Sequence, residues 1–559
     1  MATSSTRSHV DLRTHGLVKT SAGYHLAVWA PRVPGLGVRV LGEDRPLSPV
    51  EDGWWTVDLP PLAPGTPYAL VLPGGRVRPE PAALALAGDV HGASAVFDAD
   101  GFRWSDGGWP GVPPEALTFY ELHVGTFTAE GTLDAAAARL PELVDLGVSC
   151  VELMPLQPFA GTRNWGYDGV LLHAVHPAYG GPGALQRFVD RAHALGLAVC
   201  LDVVFNHLGP EGNYLPELGP YTSPRHPSPW GDGMNYDGPD AAPVRAYVLQ
   251  AARSWVTRFH VDALRLDAVH AIVDDGPEHL VSALVRTVRE ASAGRAAVIA
   301  ESDLEDRKVV DPPPSGWGCT AAWSDDFHHA IHALLTGERV GHLADFGAPE
   351  RLTRVLTEGF AYQGEHSVFR RRPHGTDTRG LLPRQFVFSL QNHDQIGNRP
   401  LGERLASLVP RPALEPLATL LVLGPGLPLL FMGEEWGSQT PFLYFTSHTD
   451  PGLARAVSEG RRREHTARSE GEVPDPQAPE TFQASRPAPG GDEALRGHYR
   501  RLLALRRRHQ RLLASCWPVV HCEGRAFRLD RPGFRVEVNL GAEPALGLPS
   551  WGWTVAVGC

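Results

Sequence analysis

The strongest constraint on the fold is a regular alternation that runs from about residue 118 to residue 432. Short apolar runs rich in β-branched and aromatic residues are separated by longer segments with helical periodicity. Eight successive strands, most of them followed by a helical segment, describe a closed barrel better than an open sheet. The sequence therefore predicts an α/β fold of the (β/α)8 TIM-barrel class.

The predicted barrel strands are Phe119–Val124, Ser149–Met154, Ala198–Val204, Ala263–Asp267, Ala297–Glu301, Ala321–Trp323, Phe386–Leu390 and Pro428–Met432. The predicted helices between them include Leu133–Leu146, Ala184–Leu195, Ala242–Phe259 and His279–Ala293.

Both ends of the chain have a different pattern. Residues 1–95 carry short strand-like runs separated by Gly and Pro turns, which predicts an N-terminal β-sandwich of the immunoglobulin-like type. Residues 96–510 are assigned to the (β/α)8 barrel with its loop insertions. Residues 511–559 return to short strands and predict a small C-terminal β-domain. The polar, Pro-rich stretch 461–489 predicts a loop or insertion.

Composition excludes several classes of function. The net charge is −12 and no Lys/Arg block is long enough to follow a phosphate backbone, so nucleic acid and anionic membranes are not expected partners. No apolar run is long enough to span a bilayer, and residues 1–7 lack the pattern of a secretion signal. Six scattered cysteines without a CxxC pair indicate reduced thiols. A cytoplasmic protein is expected.

Four of the predicted strands end in or close to a carboxylate: Asp202, Asp267, Glu301 and Asp394. Reacting groups of such barrels lie at the carboxyl ends of the strands. Desolvated like charges repel one another, so a ring of carboxylates is not expected unless a function retains it. Together these strand ends predict a catalytic site at the barrel mouth.

Arg265 and Asp267 lie two residues apart, so on a strand both point into the barrel mouth. A guanidinium beside a carboxylate keeps it ionised, as a nucleophile requires. Glu301 ends the next strand, and neighbouring strand ends can place two carboxyl groups roughly 5 Å apart, the separation used by retaining glycosidases. His207 and His393, each next to a strand-end polar group, can donate hydrogen bonds to sugar hydroxyls.

The segments Asp202–His207, Arg265–Asp267, Glu301–Asp303 and Asn392–Asp394 resemble the four signature regions of the alpha-amylase superfamily, in the same order. The resemblance implies a retaining α-glucan hydrolase with Asp267 as nucleophile, Glu301 as acid/base and Asp394 as the carboxylate that binds ring hydroxyls. It further implies a set of sugar-binding residues in the cleaved subsite: Arg265, His207 and His393, supported by Asp202, with Tyr167 as the stacking platform.

Longer runs are similar to a narrower family, the maltooligosyltrehalose trehalohydrolases. They include Phe119–Thr128, Trp165–Val170, Ile299–Asp303 and Gln391–Arg399, and with others they cover essentially the whole barrel. This resemblance implies hydrolysis of the α-1,4 bond between a maltooligosyl chain and a terminal trehalose. The substrate would be maltooligosyltrehalose, supplied by maltooligosyltrehalose synthase, and no cofactor is implied.

Further substrate contacts are expected around the trio. Trp165 and Trp230 lie in loops near strand ends and could stack on sugar rings. Asp303 is expected in a polar leaving-group pocket, and Arg399 closes the most specific of the matching runs.

Two other functions remain open from sequence: a glycogen branching enzyme, which uses the same trio, and a catalytically silent glucan-binding subunit, which the intact trio disfavours. Three further features are considered as metal or substrate sites. His328 and His332 have the spacing of a two-histidine metal site but lack the accompanying Glu, and Asn206 matches a calcium ligand of many amylases. No essential metal is predicted. Asp325 and Asp326 could contact the substrate or cap the helix that begins near Phe327, and the cap is the favoured interpretation.

Overall fold

The computed structural model describes residues 14–228, 230–465 and 473–558. The segment tested for a secretion signal and the last cysteine, at position 559, lie outside the described residues. Within them, no helix combines the length and the apolar character needed to cross a membrane.

Eight parallel strands form a closed barrel in sequence order, which confirms the predicted fold class. The barrel strands are Phe119–Leu122, Cys150–Leu153, Ala198–Val203, Ala263–Leu266, Ala297–Ala300, Ala321–Trp323, Phe386–Ser389 and Leu427–Phe431. The last strand pairs with the first, so the sheet has no free edge. The register places Asp202 beside Arg265 on neighbouring strands, and the predicted catalytic residues follow at the same mouth.

Helices surround the barrel. The longer ones are Leu133–Leu146, Gly181–Ala194, Ala241–Arg258, Leu280–Ala291, Asp325–Thr336, Pro349–Glu358, Leu414–Leu423, Pro451–His465 and Glu493–Ser515. The first of them has the predicted bounds because its ends carry local signals. The Thr132 hydroxyl accepts a hydrogen bond from the Ala135 amide at 3.2 Å, and Gly147 ends the helix in the left-handed conformation.

The prediction of a loop or insertion over 461–489 is wrong for two parts of that stretch, and residues 466–472 of it lie outside the described residues. The helix Pro451–His465 enters it, and a second helix covers Pro479–Ala484. Proline stands at the start of each helix, where its missing amide hydrogen has no helical partner to lose. A proline-rich, polar composition therefore concealed two helices with few apolar residues.

Two sheets form the N-terminal part of the described chain. One contains Gly16–Thr20, Gly23–Trp29, Trp54–Leu59 and Ser48–Pro49, and the other contains Glu43–Pro46, Gly37–Val40, Pro67–Leu72, Ser94–Ala95 and Ala85–Leu86, with Arg76–Arg78 paired to Pro67–Leu72. Their inward-facing residues, such as Leu26, Val38 and Leu70, are fully buried and belong to the main core.

The C-terminal sheet contains four antiparallel strands: Val519–Glu523, Ala526–Arg531, Phe534–Asn539 and Trp553–Val557. It packs against the barrel helices Leu414–Leu423 and Pro349–Glu358. The domain boundaries near residues 95 and 510 remain predictions. The sheets show where strands begin and end, but not where one domain ends and the next begins.

Candidate active site

Arg265 lies at the centre of the barrel mouth and contacts three carboxylates. Its Nη1 lies 2.8 Å from Asp202 Oδ2 and 2.8 Å from Asp267 Oδ1, while Nη2 lies 3.1 Å from Glu301 Oε2. The guanidinium is almost wholly buried. A buried cation needs several acceptors to offset its lost hydration, and the ring of strand-end carboxylates provides them.

Asp267 directly follows the fourth barrel strand, and its amide donates to the Val203 carbonyl at 3.1 Å, which continues the strand pairing. One carboxylate oxygen accepts from Arg265 and the other accepts from Asn206 Nδ2 at 2.7 Å. Both oxygens are thus oriented. Asn206, considered from sequence as a calcium ligand, is bonded here to the predicted nucleophile.

Glu301 directly follows the fifth barrel strand, and its amide donates to the Leu266 carbonyl at 3.0 Å. Its Oε2 accepts a hydrogen bond of 2.7 Å from the Ala268 amide. Ala268 adopts a left-handed backbone conformation with φ 39°, which is rare for a residue with a Cβ. The residue after the predicted nucleophile is therefore held in a strained conformation that turns its amide towards the predicted acid.

The pKa values of the two carboxyl groups move in opposite directions. Burial opposes ionisation of Asp267, but Arg265, His207 and the Asn206 hydrogen bond outweigh it and lower the pKa of Asp267. Burial, reinforced by the negative charges of Asp267 and Asp394, raises the pKa of Glu301 to about 8 although Arg265 opposes the rise. At neutral pH one group is an anion and the other is an acid, which is the division of roles that retaining glycosidases need.

Asp394 lies in the first turn of a short helix, His393–Gly397, which follows the seventh barrel strand. Asn392 caps this helix, and its side chain accepts hydrogen bonds from the amides of Asp394 and Gln395. The carboxylate of Asp394 accepts from Asn398 Nδ2 at 2.6 Å and remains partly exposed. An exposed, oriented carboxylate on the rim can bind sugar hydroxyls.

Tyr167, Asp202 and His393 form one hydrogen-bonded chain beside the trio. The Tyr167 hydroxyl donates to Asp202 Oδ2 at 2.6 Å and lies 2.8 Å from His393 Nε2. His207 bonds to the Tyr167 carbonyl through Nε2 at 3.0 Å and contacts Asn206 through Nδ1. The structure therefore brings together all the sugar-binding residues that the superfamily resemblance implied.

The two tryptophans differ from each other. Trp165 is 4% exposed, its indole Nε1 donates to the Leu443 carbonyl at 2.9 Å, and its ring stacks on Phe442. It packs edge-on against His393, so the expected exposed stacking platform is instead a buried support. Trp230 is 50% exposed and its ring stacks on His207 at a centroid distance of 5.1 Å. Trp230 remains available to a ligand.

Asp303 and Arg399 lie farther out. Asp303 is paired with both terminal nitrogens of Arg370, a residue that the sequence did not single out. Arg399 pairs with Glu338 at 3.1 Å and with Glu403 at 3.4 Å, and among the described contacts it reaches none of the three predicted catalytic carboxylates. Its expected substrate contact therefore has no geometric support.

A cavity lies on the Glu301 side of the mouth, and its walls combine charged and aromatic side chains. They include Asp303, Trp323, Asp325, Phe369 and Arg370. Asp325 was expected to cap a helix, but the cap position belongs to Ser324, and neither Asp325 nor Asp326 caps it. Burial and the charge of Asp394 raise the pKa of Asp325 to about 7. In the sequence, the only indication of this side of the cavity was the pair Asp325 and Asp326 shortly after the strand Ala321–Trp323.

The histidines with metal-site spacing have other partners. His328 Nδ1 lies 2.5 Å from the Leu390 carbonyl, and His332 Nε2 lies 3.0 Å from Glu338. Within the described ranges, one group has ligand atoms close enough to hold a metal: His226, Asp237 and Asp275. Arg225 already pairs with both of its carboxylates, so we propose no metal there.

The sequence of the chain matches one family model and a group of similar proteins. The family model for the alpha amylase catalytic domain matches residues 97–227. The malto-oligosyltrehalose trehalohydrolase of Arthrobacter ramosus is 44% identical over 548 residues, which cover 94% of each chain. That of Rhizobium sp. (strain M-11) is 42% identical and covers 92% of this chain and 91% of its own. This chain belongs to the malto-oligosyltrehalose trehalohydrolase family.

Other matches are to proteins with other descriptions. A protein from Salmonella typhimurium described as a candidate alpha amylase superposes with a TM-score of 0.92 at 39% identity, covering 98% of this chain and all of that one. A 1,4-alpha-glucan branching enzyme from Burkholderia vietnamiensis is more distant, with 28% identity over 77% of this chain and 63% of its own. A pullulanase from an Anoxybacillus species shares the fold alone, at 16% identity and a TM-score of 0.71.

Proposed function

We propose that the chain hydrolyses the α-1,4 bond between a maltooligosyl chain and a terminal trehalose, with retention of configuration. The observation that carries the chemistry is the single guanidinium of Arg265 in contact with Asp267 and Glu301, whose pKa values are shifted in opposite directions. The choice of substrate is based on the names of the relatives reported above.

In the first step, Asp267 attacks the anomeric carbon of the maltooligosyl unit while Glu301 donates its proton to the departing oxygen of trehalose. The glycosidic C–O bond breaks and a glycosyl ester forms on Asp267. In the second step, Glu301 removes a proton from water, the water oxygen attacks the same carbon, and the ester breaks. Asp267 is returned as a carboxylate and Glu301 as an acid.

The leaving group would occupy the cavity on the Glu301 side. Trehalose is compact and lacks a reducing end, so a pocket with paired charges and ring faces suits it better than a simple hydrophobic cleft. The Asp303–Arg370 pair offers an acceptor and a donor, and Trp323 and Phe369 offer faces. A maltosyl leaving group would leave some of these polar atoms unpaired, and such mismatches give large discrimination.

Two wider features belong to the same proposal. The substrate carries a 1,1 linkage at its end, so maltooligosyltrehalose synthase would act before this enzyme. A cytoplasmic location is supported by the five described cysteines, all of which are free thiols.

Trehalose release should separate this function from its rivals. We expect the purified protein to cleave maltotriosyltrehalose with a kcat/KM at least about a hundredfold above that for maltopentaose. The two substrates differ only in the leaving group, and a maltosyl leaving group would leave polar atoms of the cavity unpaired. Free trehalose is measured by chromatography, and Asp267→Asn is the control for contaminating glucosidases.

Incubation with amylose is the second arm. New α-1,6 linkages without trehalose release would contradict the proposal and favour a branching enzyme, which uses the same trio on a similar fold. Inactivity on all three substrates would instead favour a glucan-binding subunit.

A further inference from the structure

Glu121 is a buried carboxylate that the proposed mechanism does not use. It lies inside the first barrel strand, in register with Glu152 on the second strand, and it is 1% exposed. A buried carboxylate needs partners to offset its lost hydration. Both partners of Glu121 belong to one residue, His393: Oε2 accepts from the His393 amide at 3.1 Å and Oε1 contacts His393 Nδ1.

The hydrogen bonds around His393 determine its protonation state. The Tyr167 hydroxyl has one proton and directs it to Asp202, 2.6 Å away, which also accepts from Arg265 and is therefore a carboxylate. Tyr167 must then accept from His393 Nε2, 2.8 Å away. Nδ1 faces the carboxylate of Glu121, so both ring nitrogens carry hydrogen, and the ring is an imidazolium.

We propose that Glu121 is a positioning residue that holds His393 as an oriented imidazolium and, through it, fixes the phenol of Tyr167 beneath the sugar. The inference rests on the proposed function only in assigning Tyr167 to the sugar. His393 is 2% exposed, and Trp165 packs edge-on against its ring. Glu121 holds the ring at Nδ1 and Trp165 packs against it, so the Nε2–H group is directed at the Tyr167 hydroxyl.

The charges around His393 agree with this role. Burial opposes the cation, but the charge of Glu121 and its hydrogen bond outweigh burial and raise the pKa of His393 to about 9. The titratable groups that face it are Asp394 on its own helix and, on neighbouring elements, Glu121, His123, Glu152, Tyr167, Asp202 and Arg265. Of these, Glu121 makes the largest contribution towards the cation.

Glu152 offers a matched control. It is equally buried and lies opposite Glu121, but neither of its carboxyl oxygens has a hydrogen-bond partner among the described residues. Burial and the charge of Glu121 raise the pKa of Glu152 well above its usual value, so it is a neutral acid. Replacement of Glu152 by Gln changes neither charge nor shape, whereas Gln at position 121 removes a charge and one of two acceptors.

The test is the titration of His393 by NMR in protein labelled with 15N-histidine, with His393→Gln used to assign the signal. In the wild-type protein the ring should stay doubly protonated to about pH 9. In Glu121→Gln the midpoint should fall below 6.5, because burial then acts without the carboxylate. Glu152→Gln should titrate as wild type does.

Kinetics give a second readout. We expect Glu121→Gln to lower kcat/KM about a hundredfold through misplacement of Tyr167, and Glu121→Asp to recover part of the loss because it restores the charge. A neutral His393 ring at pH 7 in the wild-type protein would overturn the inference even if no variant folds. An equal fall of the midpoint in Glu121→Gln and Glu152→Gln would also overturn it. The titration uses no substrate, so failure of the trehalose assignment leaves its outcome unaffected.

Discussion

Replacement of Asp267 by Asn or Ala should lower kcat by at least about a thousandfold while the fold is retained. Asn keeps the size of the side chain and can still bond to Asn206, but it cannot form the glycosyl ester. Arg265 keeps the Asp202 carboxylate at 2.8 Å and its contact with the Glu301 carboxyl group, so its buried charge is not left without compensation. The loss should therefore appear in turnover and not in the melting temperature.

Asp262→Asn is the matched control for this variant. Asp262 immediately precedes the fourth barrel strand, at the opposite end from Asp267, where it bonds to Trp109 Nε1 at 2.7 Å and to His193 Nε2 at 2.9 Å. Asn has a single acceptor oxygen, so at least one of these bonds is lost, which should lower the melting temperature and leave kcat per folded molecule close to that of wild type. Retention of more than about a tenth of the activity in Asp267→Asn would contradict the assignment of the nucleophile.

Glu301→Gln should be comparably damaging, by about a thousandfold in kcat/KM on maltotriosyltrehalose, but far milder on maltotriosyl fluoride. Fluoride leaves without a proton, and kcat/KM covers only the steps up to formation of the ester. The two substrates share the glycosyl unit and differ in the need for an acid. Equal losses on both substrates would show that Glu301 is not the proton donor.

The pH dependence of the wild-type enzyme supplies an independent measure of the same group. Burial raises the pKa of Glu301 to about 8, so the acid form persists through neutral pH and is lost above it. We expect kcat/KM on maltotriosyltrehalose to fall as pH rises through about 8, while kcat/KM on the fluoride stays level there. A fall already complete at pH 6 would be incompatible with a buried acid.

The barrel could be predicted from sequence because its strands are fully buried and form short apolar runs. The strand Ala321–Trp323 and the helix Leu133–Leu146 have the bounds expected from the sequence pattern. The proximity of Asp202, Asp267 and Glu301 to Arg265 could be predicted because these residues lie at or near strand ends, which converge at one mouth.

Other features of the site depend on contacts between segments far apart in the chain. Trp165 is covered by Phe442, and Asp303 is paired with Arg370, which lies between the antiparallel strands Gln363–Ser367 and Arg372–Gly375. No local sequence pattern indicates either contact. Glu121 is concealed because it lies inside the short first barrel strand, whereas Asp267 and Glu301 directly follow theirs. The helix Pro451–His465 was missed because it has too few apolar residues to show periodicity.

The most direct test of a retaining trehalohydrolase is the proton NMR spectrum recorded in the first moments of maltotriosyltrehalose cleavage. The predicted result is the α-anomer of maltotriose appearing together with an equal amount of trehalose, before mutarotation produces the β-anomer. Two displacements at one carbon, first by Asp267 and then by water, require that outcome. Initial appearance of the β-anomer would mean a single displacement and would contradict a covalent intermediate on Asp267, and maltotriose without trehalose would contradict the substrate.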